Sequence, residues 1–581
     1  MAGMMVVLVI LLPWLGALTV WLVGKEHPRY QHTLAVLFSV GAALSSLSLF
    51  AFSGSTPAIQ IPFGRAFGDL TLIPDGLAVF LTAIATIIGS LAVLFSVDYM
   101  RDEPQLGRYY FLVLFFIGAM TGLVLSGNLL FTFFFWEITA LCSYGLISFY
   151  NDDPKAVAGG IKALVLTQVG GVGLLAGTLI AFANLGSFQI ADLLANASSL
   201  PPADLSLIAF SFLVAAAAKS AQFPFHSWLP DAMEAPTPVS ALIHAATMVN
   251  AGIYLLARFY PAFQSVPAWT SSVLTVGLVS ALISALSALI ATDLKRVLAY
   301  STVSQLGYMV FAIGAGGVFA SQFHLLSHAV FKALLFLAAG SIIHSVGTRD
   351  MRLMGGLGKQ MPFVRNAFIV GALALTGVPF LNGFWSKELI LERGLEHSPV
   401  WVYALMLSGV GLTAFYTFRM LWMVFFDRPR EHLHVHPAGA AMKVSLGILA
   451  VGTLVTWLFV DGLSRVLSST LPFHRLEHAS LVDMVTTVVS APATWLTLSI
   501  VAVGLSSSWL RIRGNRVFGI GWLNPLVETS FGFEPINRLF VRGTYKIADQ
   551  LSVTQTGELN WNILGIVSAL LAVLVILWLG I

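Results

Sequence analysis

Charge is what this sequence has least of. Only 10% of its 581 residues are Asp, Glu, Lys or Arg, and 57% are hydrophobic, against about 25% charged and 45–50% apolar in an ordinary soluble domain. So little polar surface cannot cover a chain of this length in water, and the bilayer must be part of its solvent. The 30 basic and 27 acidic residues leave a formal charge of +3 with no basic block, which is no footprint for nucleic acid. Cysteine is almost missing: Cys142 stands alone, so an internal disulfide, a structural zinc site and a cysteine-held iron–sulfur cluster are all excluded. The sequence also has no Walker loop and no dinucleotide fingerprint, which leaves ATP drive and NADH binding without support. No cofactor is therefore expected in this chain, and any electron-transfer centre is expected in another.

Long apolar runs are abundant instead. A helix needs about 20 apolar residues to cross the hydrocarbon core. Runs of that kind centre on 4–23, 31–52, 76–97, 108–127, 128–150, 157–184, 205–223, 237–258, 270–290, 296–317, 322–344, 364–394, 401–426, 441–460, 491–510 and 561–580. They predict an all-α polytopic membrane protein of about sixteen transmembrane helices; their continuity rules out a β-barrel, whose strands alternate. The first run lacks a basic n-region and a small-residue cleavage site, so it reads as a span and not as a removed signal. Loops on one side carry 21 Lys and Arg and loops on the other carry 5, leaving Lys219, Lys332, Lys387 and Arg419 within spans. The basic side is expected in the cytoplasm, which puts both termini on the non-cytoplasmic side.

Two spans are interrupted. LVAAAAKSAQFPFHSWLPDA (213–232) has Pro224 inside it and Lys219 five residues earlier; ALALTGVPFLNGFWSKELI (372–390) has Gly377, Pro379 and Gly383 in the middle and Lys387 just after. Proline removes a donor and clashes with the preceding turn, so each helix is expected to break. Broken helices at membrane depth survive only where protein or a watery cavity surrounds them. A matched, lysine-bearing pair five helices apart points to an inverted repeat. The expected division is 1–107 for three leading helices, 108–260 and 261–426 for the two repeats, and 427–581 for the last helices with a cytoplasmic amphipathic segment near 523–552.

Ionisable groups inside spans are costly and are read first as functional. Glu137 lies mid-span, and Lys219, at comparable depth, is its natural partner. The alternative is a static pair that fixes helix register, although buried pairs add little stability. His324, His328 and Lys332 are spaced i, i+4, i+8, which puts three titratable groups on one helix face over about 12 Å. Histidine titrates near neutrality, and so does a desolvated lysine, so such a row suits a proton relay. His244 is either a core histidine or a bridge from Lys219 to that row. Lys387 and Glu388 would form its far end. Lys295 opens a span in which Ser301, Gln305 and Tyr308 share a face; it is either an interfacial anchor or part of the relay. Full desolvation can shift a lysine by about 3–5 pKa units, or roughly 4–7 kcal/mol, and moving one charge against about 200 mV takes roughly 4.6 kcal/mol, so switching the Glu137–Lys219 pair is large enough for the task. The loop REHLHVHP (430–437) places His432, His434 and His436 in alternation, either a metal-binding trio or a solvated cytoplasmic loop.

The same residues carry a family resemblance. KSAQFPFHSWLPDAMEAPTPVSALIHAATMV (219–249), FWEITALCSYGLISFY (135–150), ATDLKRVLAYSTVSQLGYM (291–309), HLLSHAVFKALLFL (324–337) and GFWSKELIL (383–391) resemble the antiporter-like subunits of respiratory complex I and of Mrp-type cation/proton antiporters over roughly 70–425. The resemblance implies a fourteen-helix core with two inverted five-helix repeats, each with a broken helix. It carries roles onto Glu137, Lys219, His244, His324, His328, Lys332 and Lys387. The last two spans and GELNWN (557–562) look like the largest complex I subunit of this kind, although 511–560 is short for its lateral helix. Gly170 and Gly171 stand where that subunit has an acidic group, which looks more Mrp-like; Asn250 replaces a lysine common in Mrp relatives, and the large additional C-terminal domain of the Mrp protein is not expected.

The expected function is a proton-translocating subunit of a redox-driven, multi-subunit pump in a prokaryotic inner membrane, with other membrane subunits as partners. Two rivals stay open: an Mrp-type exchanger with sodium as counter-ion, and the proton-conducting partner of an inorganic-carbon uptake protein. An intrinsic enzyme is disfavoured by the lack of cofactor ligands and of a nucleophile–base motif.

Overall fold

The computed structural model describes residues 1–552 apart from 55, 65–66, 430–434, 475, 477 and 515–523. The apolar runs become helices, and a polar cap or a proline marks several of the starts. The leading helices are α1 (Ala2–Val23), α2 (Pro28–Leu49), α3 (Gly76–Tyr99), α4 (Leu106–Leu125) and α5 (Leu129–Ile147); Pro28 opens α2, Asp75 caps α3 through the Ala78 amide, and Asn128 caps α5 through Leu130 and Phe131. A short hairpin, β1 (Ile59–Pro62) and β2 (Asp69–Leu72), pairs antiparallel between α2 and α3 with Ile59 opposite Leu72.

The long α6 (Pro154–Leu185) starts with proline at its first position under an Asp153 cap and ends at Gly186 in the left-handed region, a combination favoured on both counts. The short α7 (Ile190–Asn196) leads to α8 (Pro202–Lys219). Here the chain breaks: α8 stops at Lys219, residues 220–227 are non-helical except for turns, and the single-turn α9 (Trp228–Asp231) follows. Next come α10 (Thr237–Ala241), a π-turn over Leu242–Ala246, and α11 (Met248–Phe263), which together make one membrane-length element.

The second half has α12 (Trp269–Ile290), α13 (Leu294–Gly314, capped by Asp293), α14 (Val318–Val346) and the short α15 (Leu357–Gln360). The second break lies between α16 (Pro362–Thr376) and α17 (Asn382–His397), around Pro379. A Cβ on Gly383 would run into the carbonyl of Ala374, so the two half-helices cross with only glycine between them. The chain ends, as described, with α18 (Val400–Leu421), α19 (Ala440–Val455), α20 (Val460–Thr470), α21 (Leu481–Ser490), α22 (Pro492–Gly514), α23 (Asn524–Glu528) and α24 (Glu534–Ser552).

Among the described residues fourteen helices are long and apolar enough to cross a membrane, and the broken pair α16–α17 is the further run expected near 364–394. The sixteenth run, 561–580, and the GELNWN segment lie outside the described residues. Burial identifies the centre of the bundle. The apolar window is 100% buried in 237–263, 94% in α13 and 83% in α14, but 28% in α22. The helices that carry His244, Lys295, His324, His328 and Lys332 are therefore among the innermost, together with α3 at 89%, and the last helices lie at the periphery.

Candidate functional site: buried lysines and histidines between two helix breaks

The first break sets the position of Lys219. As the last residue of α8 it is fully buried, and its Nζ donates to the main-chain carbonyl of Trp136 at 2.9 Å while standing 4.9 Å from the indole centroid. A cation at a helix C-terminus also meets the negative end of the dipole. Glu137, next to Trp136 on α5, accepts a hydrogen bond from the amide of Gln168 on α6, and its Oε1 has no protein partner. The lysine and the carboxylate are thus neighbours without being an ion pair, whereas the sequence predicted a pair. Gly171 explains where the carboxylate fits, since a Cβ there would meet Glu137 Oε1. Sequence reasoning missed Gln168, which bears no charge to draw attention inside a span.

His244 sits in the π-turn, a geometry that recurs at functional sites. Its ring is fully buried and stacks on Phe336 with centroids 4.9 Å apart. Both of its nitrogens lack a protein hydrogen-bond partner, and so do both nitrogens of His328. Few buried polar groups go unsatisfied in folded proteins, so two such rings in the innermost helices stand out.

His324, His328 and Lys332 share one face of α14 and are all fully buried. The predicted polar face of α13 meets them. Lys332 Nζ donates to Ser301 Oγ and to the Leu298 carbonyl at 3.2 Å. His324 lies between Gln305 Oε1 (3.2 Å from Nε2) and Ser386 Oγ (2.9 Å from Nδ1), which joins α14 to α17. Its ring is 6.4 Å from that of His328. Tyr308 completes the series, its ring 5.9 Å from Lys387 Nζ.

The second break supplies a partner for Lys387. The C-terminal carbonyls of a helix have no intrahelical donor, and Lys387 on α17 donates to one of them, Leu375 of α16, at 2.8 Å. Glu388, the next residue on α17, is buried as well, 5% exposed. Lys295 is buried as well and donates to the Ala235 carbonyl at 2.6 Å. Four buried lysines, Lys219, Lys295, Lys332 and Lys387, therefore each rest on a peptide oxygen, and among the described residues none has a carboxylate within ion-pair distance. His432 and His434 lie outside the described residues; the His436 carbonyl accepts from Ser345 at 2.7 Å.

The fold and this interior define a class: a multi-pass helical membrane protein with two discontinuous helices and a buried row of lysines and histidines between them. Residues 126–413 match the family model described as NADH:quinone oxidoreductase/Mrp antiporter, TM, and residues 63–110 match the one described as NADH-ubiquinone oxidoreductase (complex I), chain 5 N-terminus. NADH-quinone oxidoreductase subunit L of Pseudomonas aeruginosa is 36% identical over 598 residues, covering 95% of this chain and 96% of that one. The chain belongs to the NADH:quinone oxidoreductase/Mrp antiporter family of membrane subunits.

Other relatives are matched over a shorter stretch. NAD(P)H-quinone oxidoreductase chain 5 of Picosynechococcus sp. is 44% identical over 367 residues, covering 60% of this chain and 55% of that one. The chloroplastic subunit 5 of Mesostigma viride is 42% identical over 417 residues, covering 68% and 64%. The chain thus spans less than two thirds of the length of these relatives. Among solved structures, the Mrp complex from Dietzia sp. superposes with a TM-score of 0.83 at 29% identity, covering 99% of this chain and 63% of the matched one.

Proposed function

We propose that this chain is a proton-translocating, antiporter-like subunit of a complex I-type redox-driven pump, working beside other membrane subunits in a prokaryotic cytoplasmic membrane with both termini on the non-cytoplasmic side. The observation that carries the reading is the buried row itself, Lys219, His244, Lys295, Lys332, His328, His324 and Lys387, with each ammonium resting on a carbonyl. A carbonyl holds an ammonium by hydrogen bonding but offers it no counter-charge and cannot take its proton. Each lysine can then pass its proton to the next titratable group without first breaking an ion pair. The unpartnered nitrogens of His244 and His328 are where water would join the chain, and Ser301, Gln305 and Tyr308 line it.

Protons enter near Lys219, cross through His244, Lys332 and His328, and leave near Lys387 and Glu388. In the proposed division the repeats run over 108–260 and 261–426, so that each contributes one break with an adjoining lysine, Lys219 in the first and Lys387 in the second. Glu137 acts on Lys219 from a distance in the observed arrangement; bringing the two together would raise the lysine's proton affinity, and separating them would lower it. Alignment with subunit L over nearly all of both chains supports the redox pump. The likeness to the Mrp complex and the glycine beside Glu137 support the second reading, a subunit of a sodium/proton exchanger.

The test is proton pumping by the assembled complex in sealed vesicles, energised by NADH. Lys219→Ala should abolish it while the complex still assembles. Full pumping by that variant would refute the assignment of Lys219, and proton flux that requires sodium would favour the exchanger.

A further inference from the structure

Helix α24 carries two features that proton transfer does not use. Arg538, Arg542 and Lys546 recur at i, i+4 and i+8 and form one basic stripe along it. Beside the stripe, Leu539 is 70% exposed, Ile547 59% and Ile536 48%. The helix is nevertheless firmly held at its start. Glu534 bonds Lys162 of α6 at 2.7 Å, Asn537 donates to Ser227 at 2.8 Å, and Phe533 packs edge-on against Phe223 with centroids 4.6 Å apart. The apolar face is thus turned outward by the docking of the opposite face and is not left over from disorder.

Between α24 and the first turns of α6 lies a cavity of about 640 Å³, lined by Lys155, Arg542 and Tyr545 among others. The carboxylates around it already have cationic partners. Asp231 bonds Lys162 and Arg296, Glu534 bonds Lys162 and Arg538, and Glu234 and Asp293 bond Arg349. Lys155 and Arg542 have no carboxylate within ion-pair distance among the described residues, so the cavity opens with a surplus of positive charge. Lys155 is the second residue of a membrane-crossing helix, which puts the cavity at headgroup level.

We propose that this cavity binds the phosphodiester headgroup of an anionic phospholipid, with α24 lying in the plane of the leaflet. Lys155, Arg542 and the Tyr545 hydroxyl hold the phosphate, and Leu539, Ile547 and Ile536 enter the acyl boundary. An amphipathic helix with cations flanking an exposed apolar face is built for such a surface, and a negatively charged leaflet attracts it further. A free phosphate would satisfy the cations but leave the apolar face in water.

The test uses the full chain reconstituted in phosphatidylcholine vesicles with a fluorophore attached through Thr544→Cys; the native Cys142 is buried. Brominated phosphatidylglycerol should quench several-fold more strongly than brominated phosphatidylcholine. The preference should disappear in K155Q/R542Q, which retains the Lys162–Glu534 anchor and should melt as the parent does. Equal quenching by both lipids, an unchanged preference in the double variant, or displacement of phosphatidylglycerol by inorganic phosphate would each overturn the proposal. So would photocross-linking from position 539 in native membranes that captures a neighbouring subunit instead of lipid.

Discussion

Lys219 holds the carbonyl of Trp136 at 2.9 Å, one residue away from Glu137 and not on its carboxylate. The carboxylate is turned toward Gln168 on another helix. The proposed switch alternates the two groups between these partners and each other.

Removing the charge of Glu137 while keeping its shape isolates that electrostatic role. Glu137→Gln should assemble normally and lower the pumping rate at least about tenfold, equivalent to about 1.4 kcal/mol, in vesicles carrying a pH-sensitive dye. A rate within twofold of the parent, about 0.4 kcal/mol, would exclude the carboxylate as a control element.

Crowding Glu137 from the opposite side should act without touching any titratable group. Gly171→Ala places a methyl where Oε1 now lies, and overpacking of this kind costs roughly 1–3 kcal/mol. A lowered melting temperature in detergent together with slower pumping is expected. Gly170 beside it abuts Ala218, so the same substitution there should perturb helix packing and leave the Glu137 response intact.

Loss of Lys387 leaves the Leu375 carbonyl buried without a donor. Lys387→Met should destabilise the protein by about 1–3 kcal/mol and stop proton release, measured as a melting shift and as lost pumping in vesicles. Normal pumping with a lowered melting temperature would reduce Lys387 to a structural role.

A buried pair away from the row offers a comparison. Arg258 bonds Asp75 through both terminal nitrogens, at 2.5 and 2.9 Å, and the Asp75 side chain also caps α3. Asp75→Ala strands the guanidinium in the interior and should cost about 3–5 kcal/mol, seen as poor assembly with no selective effect on proton flux in the protein that does assemble.

Much of this interior could be read from residue spacing. Proline marked both breaks, periodicity put His324, His328 and Lys332 on one face, and the face of Ser301, Gln305 and Tyr308 proved to be the one that meets them. What escaped the sequence has physical reasons. Peptide oxygens accept the four ammoniums of the row, and since every residue has one, no pattern singles out Trp136, Ala235, Leu298 or Leu375. The π-turn around His244 adds one residue to a helix and leaves no compositional mark. Lys162 counted as a basic loop residue by its sign, yet it is buried in α6 and bonds both Asp231 and Glu534, a contact across more than 370 positions that no local reading supplies.

Because the resting places of these lysines are part of the polypeptide itself, no exchange of side chains can delete them. A mutational scan would find the donors and pass over these carbonyls, reporting half of each such contact. The docking points survive any drift in the residues that bear them, so long as the helices keep their register.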